Sequence, residues 1–173
     1  MEKLLSSILD IFLFFTNIVF SEQKISFIDM DKVIFTSNSG ASILEQLNKL
    51  NKENMLFFKK EEKILKEKEA KLISQKNIIS EADFKSKLDQ LKNEIDKYNQ
   101  NKNKMINIFK KLKVDNTNKL LKLINPILIK YSQDNSISFI LQKKNLIMGK
   151  TELDITDKVI KIVNKEVLKF KIE

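Results

Sequence analysis

The chain has no cysteine, no histidine and no tryptophan, and only two glycines and one proline in 173 residues. Its 32 basic residues are all lysine; arginine is absent. Each absence removes a class of function. Without cysteine there is no disulfide and no thiolate chemistry, and without histidine there is no imidazole acid/base and almost no route to a zinc site. Catalysis would fall to carboxylates and lysines, and nothing in the sequence arranges these as a site. A non-enzyme is expected, with no cofactor and no metal. The scarcity of turn-formers, beside 32% charged and 42% hydrophobic residues, suits long solvated helices better than a compact globule. The missing arginine carries less weight, because an AT-rich genome favours Lys, Asn and Ile.

What is present begins with an address. Met1, Glu2 and Lys3 precede an apolar run from Leu4 to Phe20, interrupted by Asp10 and Asn17. Val19 and Ser21 are small enough for the −3 and −1 positions of a signal-peptidase site, so residues 1–21 read as a signal peptide cut between Ser21 and Glu22. A lack of cysteine is no argument against export to the periplasm. The competing readings are an uncleaved membrane anchor, for which about 17 residues is short, and a buried helix. Cleavage would leave 152 residues with a net charge of +10, since Glu2 and Asp10 leave with Lys3. A surface so positive attracts acidic partners at long range. Nucleic acid is a poor candidate outside the cytoplasm, so none is expected. Anionic lipid head groups or negatively charged unfolded chains fit better.

Along the remaining chain, Lys24–Met30 alternates and reads as a short strand. A break is expected around Ser39-Gly40-Ala41-Ser42, with Ser42 and Glu45 at capping-box spacing, followed by a helix to about Ile79. Its apolar residues recur as doublets (Phe57-Phe58, Ile64-Leu65, Leu72-Ile73, Ile78-Ile79), separated by Asn54, Glu61, Lys68 and Gln75. A dry coiled coil requires both core positions of each heptad to be apolar, so a tight rod is disfavoured. Ser80-Glu81-Ala82-Asp83 is a second cap. The helix after it has a cleaner repeat: Phe84, Leu88, Leu91, Ile95, Tyr98, Lys102, Met105, Phe109, Leu112 and Asn116. Alternate spacings of four and three give the 3.5-residue period. Either an antiparallel hairpin within one chain or an intermolecular coiled coil satisfies it, and the break at Ser80 favours the hairpin.

Pro126 is expected to end or kink this helix. Residues 136–141 read as a strand turned by Lys143-Lys144-Asn145 into Leu146–Gly149, a hairpin, and Asp154 with Asp157 caps a last amphipathic helix. The expected fold is α+β and mostly helical. Residues 22–44 and 120–173 form a small β-containing body, and residues 45–119 form a long antiparallel, coiled-coil-like hairpin arm. Three short strands make little core, so oligomerisation through Ile25, Phe27, Ile137, Phe139, Leu141, Leu146 and Met148 is expected.

This layout resembles the Skp (OmpH) family of periplasmic chaperones. The resemblance rests on the stretch Lys24-Ile-Ser-Phe-Ile-Asp-Met-Asp-Lys-Val-Ile34, the long charged hairpin, Ser138-Phe-Ile-Leu141 and Asp154-Ile-Thr-Asp-Lys-Val-Ile160. It implies a homotrimer whose strands join centrally and whose three arms enclose a cavity, holding unfolded outer-membrane proteins without ATP. Arginine-based lipopolysaccharide contacts of relatives do not carry over, because this chain has no arginine. A structural coiled-coil protein tethered to the inner membrane is the alternative.

Two groups of residues are candidates for client contact. Lys97, Lys102, Lys104, Lys110, Lys111 and Lys113 lie in a stretch without an acid, either a solvated helix face or a positive lining; Lys102 stands at a heptad core position, which favours a wet groove. Ile73, Ile78, Ile79 and Phe84 fall near the expected tip, where few neighbours exist to bury them. The stripe of Phe57, Phe58, Tyr98 and Phe109 reads first as core.

Overall fold

The computed structural model describes residues 23–173, so the expected signal peptide and the Ser21–Glu22 cleavage site lie outside the described residues. The first strand, β1 (Lys24–Ile28), pairs in parallel with β2 (Ile137–Gln142), with Ile25 opposite Phe139 and Phe27 opposite Leu141. More than a hundred residues separate the two strands, and most of them form the hairpin arm.

Helix α1 (Met30–Thr36) follows β1, its first turn capped by Asp29, whose carboxylate accepts from the Lys32 N–H at 2.8 Å. Helix α2 (Asn38–Ser74) begins after one residue, earlier than the sequence suggested. Ser37, not Ser42, is its cap: Ser37 takes an extended ψ of 153°, and its hydroxyl accepts from the Gly40 N–H at 3.3 Å. Gly40 is therefore no break but a buried helical residue, where a Cβ would fall onto the Ile34 carbonyl of α1. Its lack of a side chain permits the sharp corner between α1 and α2.

Helix α2 ends at Ser74, so Ile78 and Ile79 belong to the reversing turn, where both N–H groups donate to the Gln75 carbonyl. Helix α3 (Glu81–Asp134) then starts at the expected cap, the Ser80 hydroxyl accepting from the Asp83 N–H at 3.1 Å. The hairpin is intramolecular: Lys68 of α2 reaches Glu94 of α3 at 2.6 Å.

Pro126 does not end α3, which continues to Asp134. An interior proline costs ~3 kcal/mol through a lost hydrogen bond and a ring clash. Leu120, Ile124 and Ile127 beside it are buried, each worth about 1.5–3 kcal/mol, and together they outweigh that cost. Pro126 and Lys122, whose carbonyl loses its helical donor, both lie on the exposed face of the helix. Asn135 and Ser136 (φ 53°) turn the chain into β2.

The expected third strand is not formed among the described residues. After β2 come 3₁₀ turns at Lys143–Asn145 and Thr151–Leu153. Between them Ile147 and Met148 stand 99% and 86% exposed. The loop is closed by Lys143, whose ammonium meets the Asp154 carboxylate at 2.8 Å, while Asp154 forms a bridge to Phe27 of β1. Chain closure onto β1 thus replaces a hairpin onto β2. Burial pushes the Asp154 carboxyl up, but hydrogen bonds from Lys143 and from the Thr156 hydroxyl and N–H outweigh it and hold its pKa below the usual value.

Helix α4 (Thr156–Glu166) is entered through Ile155, with Asp154 supporting the entry by accepting from the Thr156 N–H. Val159 and Val163 face inward and are fully buried with Val33 of α1 and Leu120 and Ile124 of α3; Ile162 is half-buried. The root of α2 adds Ile43 and Leu47 to this cluster. Residues 167–173 then run back over the arm root, with Phe170 and Ile172 packed against the core.

The corner at Gly40 yields a direct test. Gly40→Ala should destabilise the protein by about 2 kcal/mol or more in chemical denaturation, since overpacking against backbone has no cheap relief. Ala41→Gly, on the exposed side of the same turn, should cost only the helix-propensity difference of about 1 kcal/mol. Equal losses would remove the packing argument.

Candidate functional site

The arm is unevenly built. On α2 no residue between Leu47 and Leu72 is buried, and on α3 none between Leu91 and Asn116. The polar layers of the α2 stripe cause this: Asn54, Glu61 and Lys68 stand where a dry seam would place apolar side chains. The helices meet closely near the tip, at buried Leu72 and Leu91, and again at the root. In between, the main side-chain bridge is aromatic. Phe58 meets Tyr98 edge to face, with ring centroids 5.8 Å apart, and Phe57 flanks Phe58 at 5.2 Å.

Beside this bridge lies a groove of about 600 Å³ between the two helices. Met55, Phe58, Tyr98, Met105, Ile106 and Phe109 give it an apolar surface, and Lys59, Lys102, Lys110 and Lys113 also line it. Among the described residues, none of these four lysines makes an ion pair. Glu62, the groove's one acid, is bound by Lys66 at 2.7 Å. That hydrogen bond and charge hold the Glu62 carboxyl below, and the Lys66 ammonium above, their ordinary values. The groove therefore presents uncompensated positive charge around apolar side chains. Lys102, the heptad misfit, lies with its ammonium 3.4 Å from the Tyr98 hydroxyl.

The structure divides the six lysines singled out in the sequence. Lys102, Lys110 and Lys113 line the groove, whereas Lys97, Lys104 and Lys111, seven residues apart, follow a separate row. Lys111 on that row pairs with Asp115. The aromatic stripe is core only at its root end: Phe109 is half-buried and packs against the core cluster, whereas Phe57 is 56% exposed and Phe58 and Tyr98 are half-buried in the arm. Sequence reasoning missed Lys59, Met55 and Ile106. For Met55 and Lys59 the signal is the heptad phase of α2, since both flank Phe58 within one helical turn; for Ile106 it is the place beside Met105 in the α3 repeat. At the tip, Ile73 and Ile78 are exposed while Ile79 and Phe84 are half-buried.

In the body, Phe27 and Ile137 are buried within the chain itself. Ile25, Phe139, Leu141 and Met148 are exposed, and Leu146 is half-buried. Ile25 and Phe139 are register partners, so the two-stranded sheet carries an apolar patch that none of the described residues covers. Among the described residues no group of acidic side chains is placed to hold a metal ion.

The absence of native tryptophan allows one reporter to test the groove's charge. Phe58→Trp should fluoresce as a partly wet indole, quenched at low salt more strongly by iodide than by caesium. The difference should shrink as ionic strength rises and the screening length falls toward ~3 Å at 1 M. Equal quenching by both ions at low salt would contradict an electropositive groove.

No curated protein sequence matches the chain significantly. The solved structure of a Caulobacter crescentus CB15 protein described as an OmpH-like outer membrane chaperone superposes with a TM-score of 0.78. That match covers 87% of this chain and 90% of the other at 14% identity, and so speaks for the fold. The profile of the OmpH-like outer membrane protein family matches residues 24–163, from β1 through the arm and into α4. On that match, the chain belongs to the OmpH-like family.

Proposed function

We propose that the protein is an ATP-independent periplasmic holdase, which captures unfolded outer-membrane proteins between its arms and keeps them from aggregating. The observation that carries this reading is the open seam of the arm: a long helical pair that leaves apolar side chains half-wet beside unpaired lysines. A purely structural rod gains by closing such a seam, whereas a carrier needs weak, distributed contacts. Clients are held by many small apolar contacts, and lysine charge speeds their capture. Ile73 and Ile78 at the tip add exposed apolar surface. The name of the Caulobacter relative points the same way.

In this reading residues 22–44 and 120–173 form the assembly body and residues 45–119 the arm. Three copies join through the uncovered patch around Ile25, Phe139 and Leu141, and their arms enclose the client. The chain is exported by removal of residues 1–21, and the remaining positive surface also suits anionic lipid head groups. Nucleic acid has no part in this.

Native mass spectrometry of the exported protein should show a trimer of chains beginning at Glu22. Phe139→Asp should reduce it to monomers, because a buried unpaired carboxylate is costly. A wild-type monomer or dimer would refute the enclosing cavity, and a full-length chain fractionating with membranes would favour a tethered structural protein.

The division of the lysines sharpens the test of capture. Replacing Lys102, Lys110 and Lys113 with Gln should slow capture of an acidic unfolded barrel protein and flatten its salt dependence. The same change at Lys97, Lys104 and Lys111 should have a smaller effect in stopped-flow light scattering. If both triple variants match wild type at low salt, the lysines are only a solvated face.

A further inference from the structure

Residues 167–173 lie beyond the family match, which ends at residue 163. They belong to no helix or strand, leave α4 through Val167 with extended dihedrals, and are bonded to both α2 and α3 at the arm root. A stretch of backbone without a ladder must find partners elsewhere. Here side chains supply them. The Ser39 hydroxyl donates to the Val167 carbonyl at 2.8 Å. Gln46 uses both ends of its amide, donating to the Phe170 carbonyl at 3.0 Å and accepting from the Ile172 N–H at 3.2 Å. Buried Asn116 donates to the Glu173 carbonyl at 3.3 Å. These groups read main chain, which every sequence offers.

The side-chain demand of the seat is simple. Phe170 and Ile172 turn inward and are half-buried, while Lys169, Lys171 and Glu173 are exposed, as is Leu168 at 83%, which lies beyond the seat. Lys119 covers the Phe170 ring at 4.8 Å. The required pattern is thus extended chain with alternate residues apolar. That is also the pattern of a membrane β-barrel strand before it folds. Asn116 lies one helical turn from Lys113, which lines the mid-arm groove, so the seat opens toward the surface already described.

We infer that the crevice at the arm root is a binding site for one extended, alternately apolar segment of an unfolded barrel protein, filled in the free protein by residues 168–173 as a self-ligand. The inference deepens the holdase reading and rests on it for the identity of the partner. Main-chain hydrogen bonds supply affinity and two apolar pockets supply the pattern, the division of labour seen in strand-addition sites. The tethered segment competes at high effective concentration, so the seat opens only to chains already held nearby.

The test uses a fluorescent hexapeptide with the sequence of residues 168–173, in which Leu168, Phe170 and Ile172 alternate with charged residues, and a scrambled peptide with its apolar residues adjacent. A chain ending at Val167 keeps the Ser39 contact and the Val167 N–H bond to the Val163 carbonyl at 2.8 Å. It should bind the alternating peptide at least about tenfold more tightly than the full chain does, and Gln46→Ala in that background should weaken binding. Equal binding by the two chains, or of the two peptides, would overturn the inference. Should the shortened chain fail to fold, hydrogen exchange on the full chain decides the matter. Excess peptide should accelerate exchange of the Ile172 amide while those of Leu120 and Ile124 stay protected; an unchanged Ile172 makes the segment a structural staple. Adding an unfolded barrel protein separates the two readings. Peptide exchange without client holding would leave the seat standing and remove the holdase, and client holding with Ile172 still protected would do the reverse.

Discussion

Everything in this molecule hangs on the grip of the body around one stretch of α3. Leu120 and Ile124 are fully buried there against Val33, Val159 and Val163, with Ile127 close by. Helix α3 has 54 residues, about 80 Å of continuous helix, and the same rod is core at one end and arm at the other. Because its root is clamped by α1, α4 and the base of α2, the arm has a defined direction without needing a core of its own. The cost of Pro126 is absorbed in the same place, so the helix runs unbroken into the residues that position β2.

With the root fixed, the arm is free to be poorly sealed. An edge-to-face aromatic pair such as Phe58–Tyr98 is worth about 0.5–1.5 kcal/mol beyond its burial, and an exposed ion pair such as Lys68–Glu94 at most about 1 kcal/mol. Both contacts lie in the middle of the hairpin and each is weak; with half-buried Leu65 and Ile95 beside them, the hold there is lighter than at the root, where side chains are fully buried. A groove that exposes apolar surface beside positive charge follows from the polar layers of α2 rather than from any dedicated loop.

Much of this was legible in the sequence where a local rule had no competitor. The Ser80–Asp83 cap and the 3.5-residue period of α3 rest on spacing alone, the strand expected over residues 24–30 forms at Lys24–Ile28, and the family resemblance rests on the residue stretches that carry it. Polar layers at Asn54, Glu61 and Lys68 also announced an open seam. Legibility failed where tertiary contacts decided. Gly40 looked like a break, yet the Ile34 carbonyl demanded a residue without Cβ inside a helix. Pro126 is expected to end or kink the helix, and with buried neighbours on either side the helix runs through it to Asp134. Leu146–Gly149 had strand composition, but Lys143 and Asp154 closed the loop another way. The Gln46 contact to the residues after α4 left no trace in spacing, since its partners are backbone atoms more than a hundred residues away. Of the candidate contact residues, the lysines were found by composition, but the phase that divides them became clear only on the folded helix.

The central claim is that the arm is clamped at its root and open along its middle. Residue-resolved hydrogen exchange on the full chain tests it most directly. Amides of residues 116–128 of α3 are expected to be the most protected, approaching the global stability, with residues 50–70 of α2 and 92–115 of α3 exchanging through low-energy local opening. Uniform protection from root to tip would mean a sealed, rigid coiled coil, and would contradict the account.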